Sequence, residues 1–103
     1  MVKAGKLTEK AFQQQVIDLA TLCGFRVYHT YDSRRCVAGF PDLVLVHRKR
    51  GLVVFAELKV GKNNLTPEQR GWLDDLEDCG ASVSVWRPED WSAIEALLTG
   101  RDS

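Results

Sequence analysis

The 103-residue chain predicts an α/β fold with a mixed sheet, in the order α-β-β-β-α-β-α. Three observations carry that prediction. Two short apolar runs, Leu43-Val44-Leu45-Val46 and Leu52-Val53-Val54-Phe55-Ala56, are rich in Val and Leu and bounded by Gly, Pro and charge, the pattern of buried strands. Ahead of them Phe12, Val16, Leu19, Ala20 and Cys23 recur at helical spacing. After them Thr66-Pro67-Glu68-Gln69 has the composition of a helix start, with a cap, a proline in the first turn and acid behind it. A helix lying between the third and fourth strands is a crossover, so the sheet should combine a hairpin with one crossover-linked strand and carry helices on its flanks.

In chain order, Thr8 caps a first helix that runs to about Cys23, with Gly24 as its stop. Phe25 to Thr30 sets Phe25, Val27 and His29 against Arg26, Tyr28 and Thr30, an alternation that reads as a first strand. Tyr31 to Gly39 is a polar loop. The two apolar runs are strands two and three, joined by a turn around Lys49 to Gly51. Gly61 to Leu65 is a loop. The second helix buries Trp72, Leu73 and Leu76 and ends at Gly80; Ala81 to Trp86 is a fourth strand. Pro88 opens a last helix that turns Trp91, Ile94, Leu97 and Leu98 inward and stops at Gly100.

A chain of this length is expected to be one domain, residues 1–103, that buries roughly two-thirds of its unfolded surface. Hydrophobic residues make up 45%, enough for an ordinary core, and no run approaches the roughly 18 apolar residues of a membrane span. Met1 to Lys10 lacks an apolar signal region, and the widely spaced Cys23, Cys36 and Cys79 form no CxxC, so a reduced, cytoplasmic protein is expected. Cys23 and Cys79 each precede a Gly at a helix end, where small buried residues fit. The net charge is zero but uneven. Residues 26–62 hold eight basic against three acidic residues, and residues 63–103 hold three against nine. A polyanion would be steered to the basic segment. Within it, Arg48-Lys49-Arg50 is either part of that surface or a solvated hairpin tip.

The acids in this basic segment stand where acids are costly. Asp42 follows Gly39-Phe40-Pro41 and opens strand two, and Glu57 closes strand three within Glu57-Leu58-Lys59. A carboxylate at the end of a fully apolar run is partly desolvated and needs positive charge nearby. Lys59 lies on the same strand face as Glu57, so a simple ion pair would serve, but it leaves Asp42 unexplained. A hard divalent cation such as Mg²⁺ explains all three: Asp42, Glu57 and the Leu58 backbone carbonyl as ligands, with Lys59 beside them to orient water or stabilise charge on a phosphate. Glu9 falls at the centre of the first helix's apolar stripe. It is either a first-turn partner of the helix dipole or a further acid at the metal site, directly or through water. Gln69 completes a Thr-x-x-Gln capping box, and can also reach a lysine or phosphate. His29 reads as a core or rim histidine. Tyr28, Tyr31, Arg34, Arg35 and Lys62 are candidates for stacking on bases or holding phosphates.

Glu9, Gly39-Phe40-Pro41-Asp42, Glu57-Leu58-Lys59 and Gln69, in this order, resemble the PD-(D/E)xK nuclease superfamily, and more narrowly its VRR-NUC domains. The resemblance runs from about Thr8 to Leu98, and Thr66-Pro67-Glu68-Gln69-Arg70 and Trp86-Arg87-Pro88 extend it. It implies a restriction-endonuclease-like core and a Mg²⁺- or Mn²⁺-dependent phosphodiesterase acting on DNA. Asp42 and Glu57 would be metal ligands, Lys59 the catalytic lysine, Glu9 the acid of the first helix, and Gln69 the glutamine of the helix after the lysine. Small members of this kind occur in bacteriophages, which would place the protein in a host cytoplasm. Similarity to junction resolvases implies branched or Holliday-junction DNA as substrate and a homodimer that makes paired cuts. Two rivals remain: a less specific nickase or exonuclease, and a nucleic-acid-binding module of the same fold that does not cleave. A small structural protein with a basic surface is a third.

Overall fold

The structure is a computed structural model and describes residues 7–30 and 37–101. Helix α1 (Glu9–Leu22) is capped by the Thr8 hydroxyl, which accepts from the Ala11 N–H at 3.0 Å. Strands β1 (Arg26–His29), β2 (Leu43–His47) and β3 (Leu52–Leu58) form an antiparallel meander. Helix α2 (Pro67–Asp78) crosses over to β4 (Ser82–Trp86), which pairs parallel to β3. The sheet order is β1-β2-β3-β4. A 3₁₀ turn over Pro88–Asp90 precedes α3 (Trp91–Thr99), so the proline opens a 3₁₀ turn first and the α-helix three residues later.

Leu43 and Leu45 of β2, Val54, Ala56 and Leu58 of β3 and Trp86 of β4 share one sheet face, and meet Phe12, Val16 and Ala20 of α1 and Ile94 and Leu98 of α3. Each large side chain buried there contributes about 1.5–3 kcal/mol. The other face is only partly covered. Phe40 stands edge-on to Phe55 and to Trp72 of α2, with ring centroids 6.2 and 5.1 Å apart, and Leu73 is buried, while Trp72 and Leu76 are half-buried. Toward β1 and β2, Tyr28, Val46 and Val53 stay exposed. The two apolar runs are therefore buried on one face and only partly covered on the other. Cys79 is also exposed, contrary to its expected burial, since the end of α2 faces solvent; Cys23 is half-buried. Among the described residues, no helix is long and apolar enough to cross a membrane.

The turn between β2 and β3 lies at the opposite end of the sheet from Asp42 and Glu57. Arg50 there lies 5.7 Å from the Phe25 ring centroid and donates to the Leu98 carbonyl at 3.3 Å, which ties the hairpin to α3. Its charge does structural work at a distance from the carboxylates, and only Arg48 and Lys49 of the triplet are left to solvent without such contacts.

Candidate active site

The antiparallel register that sets Leu43 opposite Ala56 brings Asp42 opposite Glu57, one step beyond the ladder. Three local devices hold that end of the sheet. The Asp42 carbonyl accepts from the Thr30 N–H at 3.0 Å, fixing the entry of β2 against the exit of β1. Asp42 Oδ2 accepts from the Leu58 N–H at 2.8 Å. On a strand, the N–H and C=O of one residue face the same edge, so the Leu58 carbonyl also faces the Asp42 side. The Lys59 N–H donates to the Trp86 carbonyl at 3.0 Å, extending the parallel pairing by one bond.

Gly39 fixes the loop from the other side. Its φ is +91°, and a Cβ there would lie 2.4 Å from the Glu68 carbonyl carbon and 2.8 Å from the Gln69 nitrogen. Only a residue without a side chain lets the Gly39-Phe40-Pro41-Asp42 segment touch the first turn of α2. In that turn Thr66 and Gln69 form a complete capping box: Gln69 N–H donates to Thr66 Oγ1 at 3.1 Å, and Thr66 N–H donates to Gln69 Oε1 at 2.9 Å. The same Gln69 side chain donates through Nε2 to Glu57 Oε2 at 2.9 Å. Cap and site contact, alternatives in the sequence, are both made.

Glu57 is 1% exposed and Lys59 8%, the two charged groups buried among the described residues. Lys59 Nζ stands 3.9 Å from Glu57 Oε2, a loose pair that leaves much of the burial penalty uncompensated. The Glu57 carboxyl is accordingly pushed up to about 8, by desolvation first, then by the Asp42 charge and a hydrogen bond between the two carboxyls, with Lys59 pulling the other way. Glu57 Oε1 is buried with no hydrogen-bond partner. Glu9 is exposed as a residue, yet its carboxyl is also raised, by desolvation, then by Asp42, with Lys59 opposing. Glu9, Asp42, Glu57 and Lys59 thus share one electrostatic neighbourhood at the mouth of α1. Two facing carboxylates and an orphaned buried oxygen fit a hard divalent cation, which is held by one or two carboxylates with water completing the shell. Among the described residues no three acids, imidazoles or thiols converge in a group that could hold a metal ion.

Beside Asp42 and Glu9 a cavity of about 600 Å³ is lined also by Lys10, Gln13, Gln14, Ile17, His29 and Thr30. None of these was singled out for the site from the sequence, except as a rim position for His29; their nearness follows from docking α1 across β1, which spacing within either element does not reveal. Lys62 is exposed and lines a separate cavity with Val60, Asn63 and Pro88. Tyr31, Arg34 and Arg35 lie outside the described residues.

A four-stranded mixed sheet with an acidic pair and a lysine at one strand end defines a nuclease-type α/β core. The chain belongs to the VRR-NUC domain family, whose family model matches residues 2–89. A solved VRR-NUC domain superposes with a TM-score of 0.70 at 23% identity, covering 87% of this chain and 92% of that one. The Holliday junction resolvase Hjc of Archaeoglobus fulgidus superposes with a TM-score of 0.53 at 18% identity, over 75% of this chain and 66% of that one, and so shares the fold. Fanconi-associated nuclease 1 from Danio rerio is 37% identical over 54 residues, 52% of this chain. The chain spans only 6% of that relative's length. Family membership makes this a VRR-NUC nuclease domain.

Proposed function

We propose that the protein is a metal-dependent DNA endonuclease that cuts branched DNA, with Asp42, Glu57, Lys59, Glu9 and Gln69 as its working residues. The observation that carries this reading is the pairing of buried Glu57 with Asp42 across the end of the sheet, with an oxygen left unsatisfied. Asp42 and Glu57, with the Leu58 carbonyl, would hold Mg²⁺ or Mn²⁺, and Glu9 would join through water. When bound, such an ion supplies Lewis acidity and neutralises phosphate charge. Gln69 fixes Glu57 by one oxygen and leaves the other free. Lys59, held at the same strand face, places its ammonium where an attacking water is oriented and where negative charge grows on the phosphate oxygens. Hydrolysis adds the water oxygen to phosphorus, breaks one P–O ester bond, and passes a proton to the departing oxygen.

Likeness to a Holliday junction resolvase and to Fanconi-associated nuclease 1 supports branched DNA as the substrate and a homodimer as the acting form, since paired cuts need two sites. A monomeric mass in light scattering alongside full junction cleavage would rule out the dimer. The substrate reading is tested by gel products from four-way, flapped, nicked and linear DNA of one sequence. Preferential cutting near the branch supports it. Equal cutting of all four would point instead to an unspecific nickase or exonuclease, and binding without cutting to a silent module.

A further inference from the structure

We propose that the cavity between α1 and the end of β1 seats one unpaired nucleotide adjoining the scissile phosphate, a proposal that rests on the nuclease reading above. The cavity touches the candidate centre directly, because Asp42 and Glu9 form part of its wall. Its volume of about 600 Å³ falls in the range of sites that enclose a small organic ligand, about 300–1,000 Å³. A phosphodiester brought to a divalent ion held by Asp42 and Glu57 would leave a neighbouring nucleotide at the mouth of this cavity.

The lining suits a nucleotide better than a smooth duplex backbone. Lys10 supplies a cation one residue beyond Glu9, placed for a flanking phosphate. Gln13, half-buried, and Gln14 bring amides, which carry both donors and acceptors and so match a base edge. Gln14 already donates to Asp18 Oδ1 at 2.8 Å, which orients its amide and leaves its carbonyl oxygen as an acceptor. Among the described residues, Gln13 and Lys10 give their polar heads to no other protein group. Ile17 and the His29 ring provide an apolar and a planar wall against which a base can lie. Thr30 is fixed by donating through Oγ1 to the Pro41 carbonyl at 3.3 Å, which ties this wall to the Asp42 loop.

A base in a continuous duplex shows only its edges and cannot enter such a cavity without unstacking. The cost of unstacking is least where the base is already unpaired. Selectivity for a branch or a gap then follows from the seat itself.

The test uses a four-way junction carrying 2-aminopurine at the nucleotide on either side of the cleavage position, in turn, with full-length protein in EDTA. Binding of wild type should raise the fluorescence of one of the two probes several-fold as that base leaves the stack. Gln13→Ala and Gln13→Leu should reduce the rise at least threefold, and Lys10→Ala should weaken binding. In Mg²⁺, Gln13→Ala should raise KM for the junction far more than it lowers kcat, a split that mere loss of fold would not produce. No rise at either position, or a rise unchanged in both Gln13 variants, overturns the seat whether or not the DNA is cut. A Gln13-dependent rise without any cleavage would uphold the seat and count against the nuclease reading, so the two failures are distinct.

Discussion

Replacing Glu57 by Gln should make the metal-free protein more stable while destroying its function, and the size of the effect follows from the site. In the unfolded chain Glu57 ionises near 4.5; in the fold its pKa is about 8. Between those values the folded state binds more protons than the unfolded one, so this group's contribution to stability is lost as pH rises through that window. At about 1.4 kcal/mol per pH unit, the loss by pH 8 is on the order of 4 kcal/mol. Glu57→Gln keeps an acceptor for Gln69 and removes the charge. Urea unfolding of both proteins in EDTA should give similar stabilities near pH 5 and a variant more stable by several kcal/mol at pH 8. Adding Mg²⁺ at pH 8 should stabilise the wild type more than the variant, because bound ligand stabilises the fold that holds it. A variant less stable than wild type at pH 8 in EDTA, or a gap that narrows as pH rises, would refute the argument from buried like charge.

Further outcomes are expected from the same geometry. Gly39→Ala places a Cβ against the Glu68 backbone at a φ of +91°, so it should cost more than about 2 kcal/mol in thermal or urea unfolding and lower cleavage at temperatures where it stays folded. Gln69→Ala and Thr66→Ala should each cost about 1 kcal/mol through the lost cap, but only Gln69→Ala should also slow cleavage, because only it releases Glu57. Equal slowing by both would mean that Gln69 acts through the cap alone. Arg50→Ala should cost about 1 kcal/mol, from its contacts with Phe25 and Leu98, and leave the salt dependence of DNA binding unchanged. A shallower salt slope would return the hairpin to the DNA-binding surface.

The local parts of this structure were legible because they depend on neighbours in sequence. Thr8 and Thr66 announce their helices, alternation at Phe25 to Thr30 gives β1, and the two apolar runs give the hairpin. The meeting of Asp42 and Glu57 was also legible, since a hairpin's register follows from its turn. What depends on how distant elements dock was not. Apolar composition in β2 and β3 did not reveal that one sheet face stays partly open at Val46 and Val53. Arg50 looked like free charge, and only the approach of α3 gives it the Leu98 carbonyl. Gly39 marked a turn, but its contact with α2 spans thirty residues of sequence that a local pattern cannot bridge. The cavity beside Asp42 has the same origin, in the packing of α1 over β1.

The most direct test of the central claim is cleavage of a labelled four-way junction by wild type and by a Lys59→Ala variant shown by circular dichroism to be folded, each with Mg²⁺ or with EDTA. Wild type should cut only with metal, and Lys59→Ala should not cut while still binding the junction. Cutting in EDTA, or a Lys59→Ala variant that cuts at the normal rate, would contradict the account.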